Sequence, residues 1–183
     1  VFALFRTGAV LVAVDPGIGL KHLGQCLAEA EPSVFIGNRK AHLARVLYGW
    51  ARATLTTRIA TQATPLPGVI PLSACMRAGA DSSHTTTAED DMAAILFTSG
   101  STGAPKGAVY THGNFLAQVS ALRDLYGIRP GEVDLATFPL FALYAPALGM
   151  TSILPDMDYT RPGSAPPRRI FAAINRYRAS TMF

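Results

Sequence analysis

Short apolar runs alternate with segments of helical periodicity along most of this chain, and that alternation limits the fold more than any other feature. Residues 9–14 (AVLVAV) form a continuous apolar run rich in β-branched side chains, the mark of a strand buried on both faces. Asp15-Pro16-Gly17 breaks it, and residues 19–30 follow with Leu20, Leu23 and Leu27 at helical spacing. Glu31-Pro32 stops that helix, because the residue before a proline is pushed out of helical backbone. The pattern then repeats, with a second short strand over 33–36 and a second amphipathic helix over 39–50. Ahead of the first strand, residues 1–6 read as the end of a helix closed by Gly8.

Residues 60–90 are rich in Thr, Pro and Ala with little periodicity, which predicts a long irregular excursion. Order resumes with a strand over 92–98, a Gly-rich loop, a short strand over 108–111 and a helix over 114–126. A strand over 133–137, a core helix over 144–151 and a last helix over 167–177 complete the chain. Strands alternating with helices imply an α/β layered fold, a mostly parallel sheet flanked by helices. No internal repeat is visible.

Hydrophobic residues make up 49% of the 183 and charged ones 15%, which excludes a disordered chain. A charged fraction well under the usual quarter of a globular domain implies that much of the chain is buried or covered by something larger. Two cysteines, Cys26 and Cys75, match no metal-ligand spacing and are too few for a disulfide scaffold, so a reducing, cytoplasmic compartment is expected. The net charge of +4 invites a nucleic-acid reading, but the basic residues are scattered without aromatic interleaving, and no nucleic acid is expected. No secretory leader is expected at 1–11. Residues 135–155 carry no charge, long enough for a membrane span, but Pro139, Pro146 and Pro155 interrupt them. A buried strand and a core helix are expected there, with no transmembrane segment.

Chemistry concentrates in residues 98–107, TSGSTGAPKG. Glycines let the backbone turn sharply and approach a ligand, and successive N–H groups in such a turn converge on an anion. Thr98, Ser99, Ser101 and Thr102 add donors, and Lys106 brings positive charge. The loop is not a Walker A loop, which has Gly before the lysine and Ser or Thr after it. Here Pro105 precedes Lys106 and Gly107 follows, and a strand rather than a helix comes next. Phosphate must therefore be held by amides and hydroxyls between two strands.

The string LFTSGSTGAPKGAVYTHGNF, residues 96–115, resembles the phosphate-binding core motif of the adenylate-forming superfamily. That superfamily includes acyl-CoA synthetases, peptide-synthetase adenylation domains and luciferases. Carried over position by position, the resemblance makes Thr98, Ser99, Gly100, Ser101, Thr102, Gly103 and Lys106 the contacts to the phosphates of ATP. Pro139-Leu140-Phe141-Ala142-Leu143-Tyr144 is similar to the family's substrate-side motif, with Ala142 where many fatty acyl-CoA ligases have His. The resemblance makes Phe141, Ala142 and Tyr144 the expected acyl-pocket residues.

Three strings, residues 14–23, 40–50 and 138–162, are similar to the olefin-biosynthesis branch, the β-lactone synthetases. The implied reaction is ATP-dependent adenylation of a fatty-acid-type carboxylate with release of pyrophosphate. Closure of a β-lactone from a 2-alkyl-3-hydroxy acid follows. A long-chain fatty acyl-CoA ligase, which would use CoA, is the alternative, and a catalytically incompetent fragment that binds nucleotide weakly at best is another. The implied ligands are ATP, Mg2+ and a long-chain carboxylic or β-hydroxy acid, with neighbouring pathway enzymes as possible partners.

Several family parts have no counterpart in these residues. The acidic Mg2+ ligand, a ribose-binding aspartate and the lysine of a C-terminal lid domain are expected downstream, and so are the catalytic residues. The chain is expected to be a partial AMP-binding domain over 1–183, with the lid domain absent. No metal ligands are assigned within it. His112 and Asn114 follow the loop, with Asn114 or Thr111 expected near a helix start. His22, His42 and His84 have no partner pattern and are expected to be solvated. Asp90-Asp91 and the arginines at 168, 169, 176 and 178 are expected to be exposed charge.

Overall fold

The computed structural model describes residues 1–78, 85–98, 105–138, 141–159 and 161–182, with the side chains of Pro16 and Phe141 excepted. The chain divides into two compact units, Val1–His112 and Gly113–Phe183.

The first unit opens with α1 (Phe2–Arg6), closed by Gly8 in left-handed backbone at φ 69. Then come β1 (Leu11–Val14), α2 (Leu20–Ala30), β2 (Val34–Gly37) and α3 (Arg39–Tyr48). Each helix begins or ends where local chemistry dictates. Asn38 caps α3 by accepting from the Ala41 amide at 2.9 Å, and Gly49 closes it at φ 66. Next are β3 (Thr57–Ala60), β4 (Ile70–Pro71), α4 (Leu72–Arg77), β5 (Met92–Thr98) and β6 (Lys106–Thr111).

These strands form two three-stranded sheets, β1-β5-β6 and β2-β3-β4. The second is wholly parallel. In the first, β1 runs parallel to β5, and β5 pairs antiparallel with β6. Buried side chains of this unit include Cys26, Leu27, Trp50, Leu55, Ala60, Ala93, Ala94 and Phe97. Gly24 makes room for Trp50, since a Cβ there would stand 2.9 Å from the indole nitrogen.

The second unit contains α5 (His112–Tyr126, which starts at the last residue of the first unit), β7 (Val133–Leu135), α6 (Tyr144–Ala147) and β8 (Thr151–Ile153). It ends with α7 (Pro167–Tyr177) and β9 (Thr181–Met182). Its sheet has the order β8-β7-β9, all parallel. Ile128, Ala145, Leu148 and Met150 make its core, with Val119, Leu122 and Tyr144 packed against them.

Most elements lie where the periodicity places them, and the departures have physical reasons. The 9–14 run becomes β1, which is half-buried along its length rather than buried on both faces and, among the described residues, lies at an edge of its sheet. Within 60–90, β4 and α4 are regular, and β3 just before it carries no apolar run that would have marked it. The expected 144–151 helix stops at Ala147, because Gly149 adopts φ 77 and the chain re-enters the sheet as β8. His42 is fully buried, not solvated, with its Nε2 3.0 Å from the Ile59 carbonyl. His84 lies outside the described residues. Asp91 is exposed as expected and caps its own turn, its carboxylate accepting from the Ala88 amide at 2.8 Å.

The low charge fraction does not reflect wholesale burial. Large apolar side chains such as Leu47, Met76 and Leu125 are more than two-thirds exposed, at 71%, 77% and 75%.

Candidate functional site

The Gly-rich segment is the connection of a β-hairpin. Antiparallel β5 and β6 pair from Met92↔Thr111 to Thr98↔Lys106, so the last rung of the ladder brings two of the residues expected to contact phosphate face to face. Thr98 and Lys106 are both exposed at the mouth of the loop. The ladder below that rung is tight. At Gly107 a Cβ would stand 3.0 Å from Ile95 Cγ2 and 3.2 Å from the Phe97 ring, so a side chain there would push both away. Ser99, Gly100, Ser101, Thr102 and Gly103 lie outside the described residues. The structure thus supplies the frame of the loop, two strands as the residue pattern requires, and the positions of Thr98 and Lys106.

Beyond β6, α5 begins at His112, two residues earlier than the sequence suggests. The His112 amide donates to the Asp91 carbonyl at 3.1 Å, and its ring meets Phe5 edge-on at 5.7 Å. Phe5, Arg6, Thr85, Thr87 and His112 line a wide, shallow depression of about 440 Å³ on the first unit.

In the second unit the described part of the 139–144 string forms a single helical turn, Phe141–Leu143, leading into α6, while Pro139 and Leu140 lie outside the described residues. Ala142 and Tyr144 are half-buried. The Tyr144 hydroxyl donates to Gln118 Oε1 on α5, and its ring lies 6.3 Å from that of Phe115. Phe115, Gln118, Val119 and Leu122 recur at helical spacing, so one face of α5 holds Tyr144 in place.

Behind Tyr144 sits a residue that sequence reasoning missed. Asp134, in the middle of β7, is 2% exposed and lines a cavity of about 20 Å³ with Leu122, Ile128, Tyr144, Ala145, Leu148 and Met150. Burial pushes its carboxyl above the ordinary range, while the hydrogen bond from Thr181 works the other way. That bond runs from Thr181 Oγ1 on β9 to Asp134 Oδ1 at 3.3 Å. The one signal in the sequence was an acid between Val133 and Leu135 in a short apolar strand.

Among the described residues no three His, Cys, Asp or Glu side chains gather to hold a metal ion. No helix among them is long and apolar enough to cross a membrane.

The hairpin-framed loop and the motif turn are the two features by which the chain can be compared with known proteins. The family model described as AMP-binding enzyme matches residues 1–183. The chain belongs to the AMP-binding family. Among curated relatives of this AMP-binding chain is an olefin beta-lactone synthetase of Xanthomonas campestris, 50% identical over all of this chain and 33% of its own length. Another, from Stenotrophomonas maltophilia, is 51% identical with the same coverage. The chain thus spans about a third of the length of these relatives. A crystal structure from Rhodopseudomonas palustris, described as a long-chain-fatty-acid CoA ligase, superposes with a TM-score of 0.79 at 18% identity. The superposition covers 98% of this chain and 45% of that one, and it establishes the shared α/β fold. Family and fold both agree with the expectations drawn from residues 96–115 and from the strand–helix alternation.

Proposed function

We propose that the full-length protein adenylates a fatty-acid-type carboxylate with ATP and then closes a β-lactone from a 2-alkyl-3-hydroxy acid. The observation that carries this reading is the 50% identity, across the entire chain, to an olefin beta-lactone synthetase. The hairpin supports its first step. Loop amides and hydroxyls between Thr98 and Lys106 would hold the β- and γ-phosphates, with the lysine offsetting their charge. A carboxylate oxygen of the acid then attacks the α-phosphorus, the bond to the leaving phosphate breaks, and pyrophosphate departs. What the loop contributes is position and charge stabilisation, which an anchored donor set can supply.

In the second step the β-hydroxyl oxygen, losing its proton, attacks the acyl carbon. The bond from that carbon to AMP breaks, and AMP leaves. Phe141, Ala142 and Tyr144 would wall the acyl site, with Tyr144 held by Gln118. Mg2+ would neutralise phosphate charge when bound. The described residues offer no cluster for it, and no step here is assigned to it.

The test is an assay of the full-length protein with ATP and a 2-alkyl-3-hydroxy acid, without CoA. Lactone together with AMP is the expected product. Absence of any acyl product until CoA is added would replace this reading with that of an acyl-CoA ligase.

A further inference from the structure

A helix on the outside of a water-facing fold normally turns its apolar residues inward and its polar ones outward. α3 does the reverse. Its inner side carries His42, fully buried with Nε2 3.0 Å from the Ile59 carbonyl, and the half-buried Arg45. Leu43, Val46, Leu47 and Tyr48 are each more than half exposed.

Leu43, Val46 and Leu47 stand at i, i+3 and i+4, so they form one continuous ridge along the outer face. Arg39 lies one turn before Leu43 on the same ridge, with Lys40 beside it, and both are exposed. Tyr48 closes the other end, its ring stacked on that of Trp50 at 5.7 Å.

Charge around the ridge has one sign. No acidic residue occurs between Glu31 and Asp81, while Arg39, Lys40, Arg45, Arg52, Arg58 and Arg77 all fall there. Arg52, just past the helix, is exposed as well. The ion pair found among the described residues, Arg169 with Asp156, involves none of these cations.

An apolar patch rimmed by charge marks an interaction surface, and the sign of the rim selects the partner. Here the partner is anionic. Its shape follows from the ridge, which is convex and offers no groove for a peptide. A lipid surface yields around such a ridge. It takes the apolar side chains below the headgroups, while Arg and Lys reach back to the phosphates and a tyrosine sits at the boundary. We propose that α3 lies on an anionic lipid surface, with Leu43, Val46 and Leu47 inserted and Arg39, Lys40 and Arg52 at headgroup level. The surface uses no residue of the proposed nucleotide loop or acyl wall.

The test is sedimentation of the full-length protein with vesicles of phosphatidylcholine, alone or mixed with phosphatidylglycerol. The protein is expected to sediment with the mixed vesicles, and less so as salt is raised. Leu43→Ser together with Leu47→Ser should weaken that binding by about tenfold or more. Arg39→Gln together with Lys40→Gln should abolish the preference for phosphatidylglycerol. All four side chains are exposed, so neither pair should lower the thermal midpoint. Where the leucine pair fails to fold, the Arg39 and Lys40 pair decides alone. The proposal is overturned if the parent stays in solution beside the mixed vesicles, or if either folded pair binds them as tightly as the parent. A lowered midpoint in the leucine pair, with no vesicle binding by the parent, would give the ridge to the rest of the protein or to a second copy.

Discussion

The hairpin of β5 and β6 and the segment from β7 to β8 carry the two halves of the proposed chemistry, and they are built on opposite principles. The hairpin is long, with a ladder running from Met92↔Thr111 to Thr98↔Lys106 and in unbroken register from Ala94 onward. Thr98 and Lys106 are exposed at one end of a ladder packed so closely that a side chain at Gly107 would push Ile95 and Phe97 away. The β7–β8 segment uses strands of three residues and a four-residue helix, and it places an acid inside the core. An anion site needs donors projecting from a rigid frame, so local backbone rules suffice to make it. An acyl wall is made by side chains from separate elements, and its character depends on what packs behind it.

The sharpest way to break this comparison is to remove charge from the hairpin end. Lys106→Ala in the full-length protein is expected to lower kcat/KM for ATP by about 10²–10³-fold, the scale seen when a preorganised charge stabiliser is lost. An unchanged value would mean that the exposed end of the hairpin is not the phosphate site. A smaller effect is expected from the frame beneath it. Gly107→Val must displace Ile95 or Phe97, at a cost of about 1–3 kcal/mol of stability. Denaturant unfolding checks this, and a variant as stable as the parent would show that the ladder yields more readily than its packing suggests.

The smallest effect is expected in the other region. The folded-state carboxyl of Asp134 lies above its ordinary range, so the native protein binds its proton more tightly than the unfolded chain does. Its stabilising contribution is therefore complete below the unfolded value and is lost as pH rises through the folded one. Asp134→Asn removes that dependence. Its stability relative to the parent is expected to improve as pH rises from the ordinary carboxylate range toward neutrality. Melting curves at several pH values test this, and parallel pH profiles for the two proteins would remove Asp134 from the account.

How much could be read without the structure differed between the regions for physical reasons. The helices at 20–30, 39–48 and 167–177 were legible in the sequence, the first closed by Glu31-Pro32, although the second was read to residue 50, past the Gly49 that ends it. The hairpin strands were legible from the apolar run before the glycines and the short run after them. β3 was not, because Thr57 and Arg58 carry no apolar alternation and the strand exists through its pairing with Val34–Gly37. β8 was missed, its first residue Thr151 having been read as the end of a helix that stops before Gly149. His42 was read as a surface group, and Asp134 was not singled out at all. A single polar residue has no periodicity of its own, and only its neighbours from distant segments decide whether water reaches it.

The chain's residues alone determined the strand–helix alternation, the strand-framed loop of glycines, hydroxyls and Lys106, and through that loop the family. These are local matters, set by backbone freedom at glycine and proline and by the spacing of apolar side chains. Tertiary structure decided which strands neighbour one another, that Gln118 holds Tyr144, and that His42 and Asp134 are buried. Each of these rests on contacts between segments far apart in the chain, where burial and charge take their values from the partners that packing supplies.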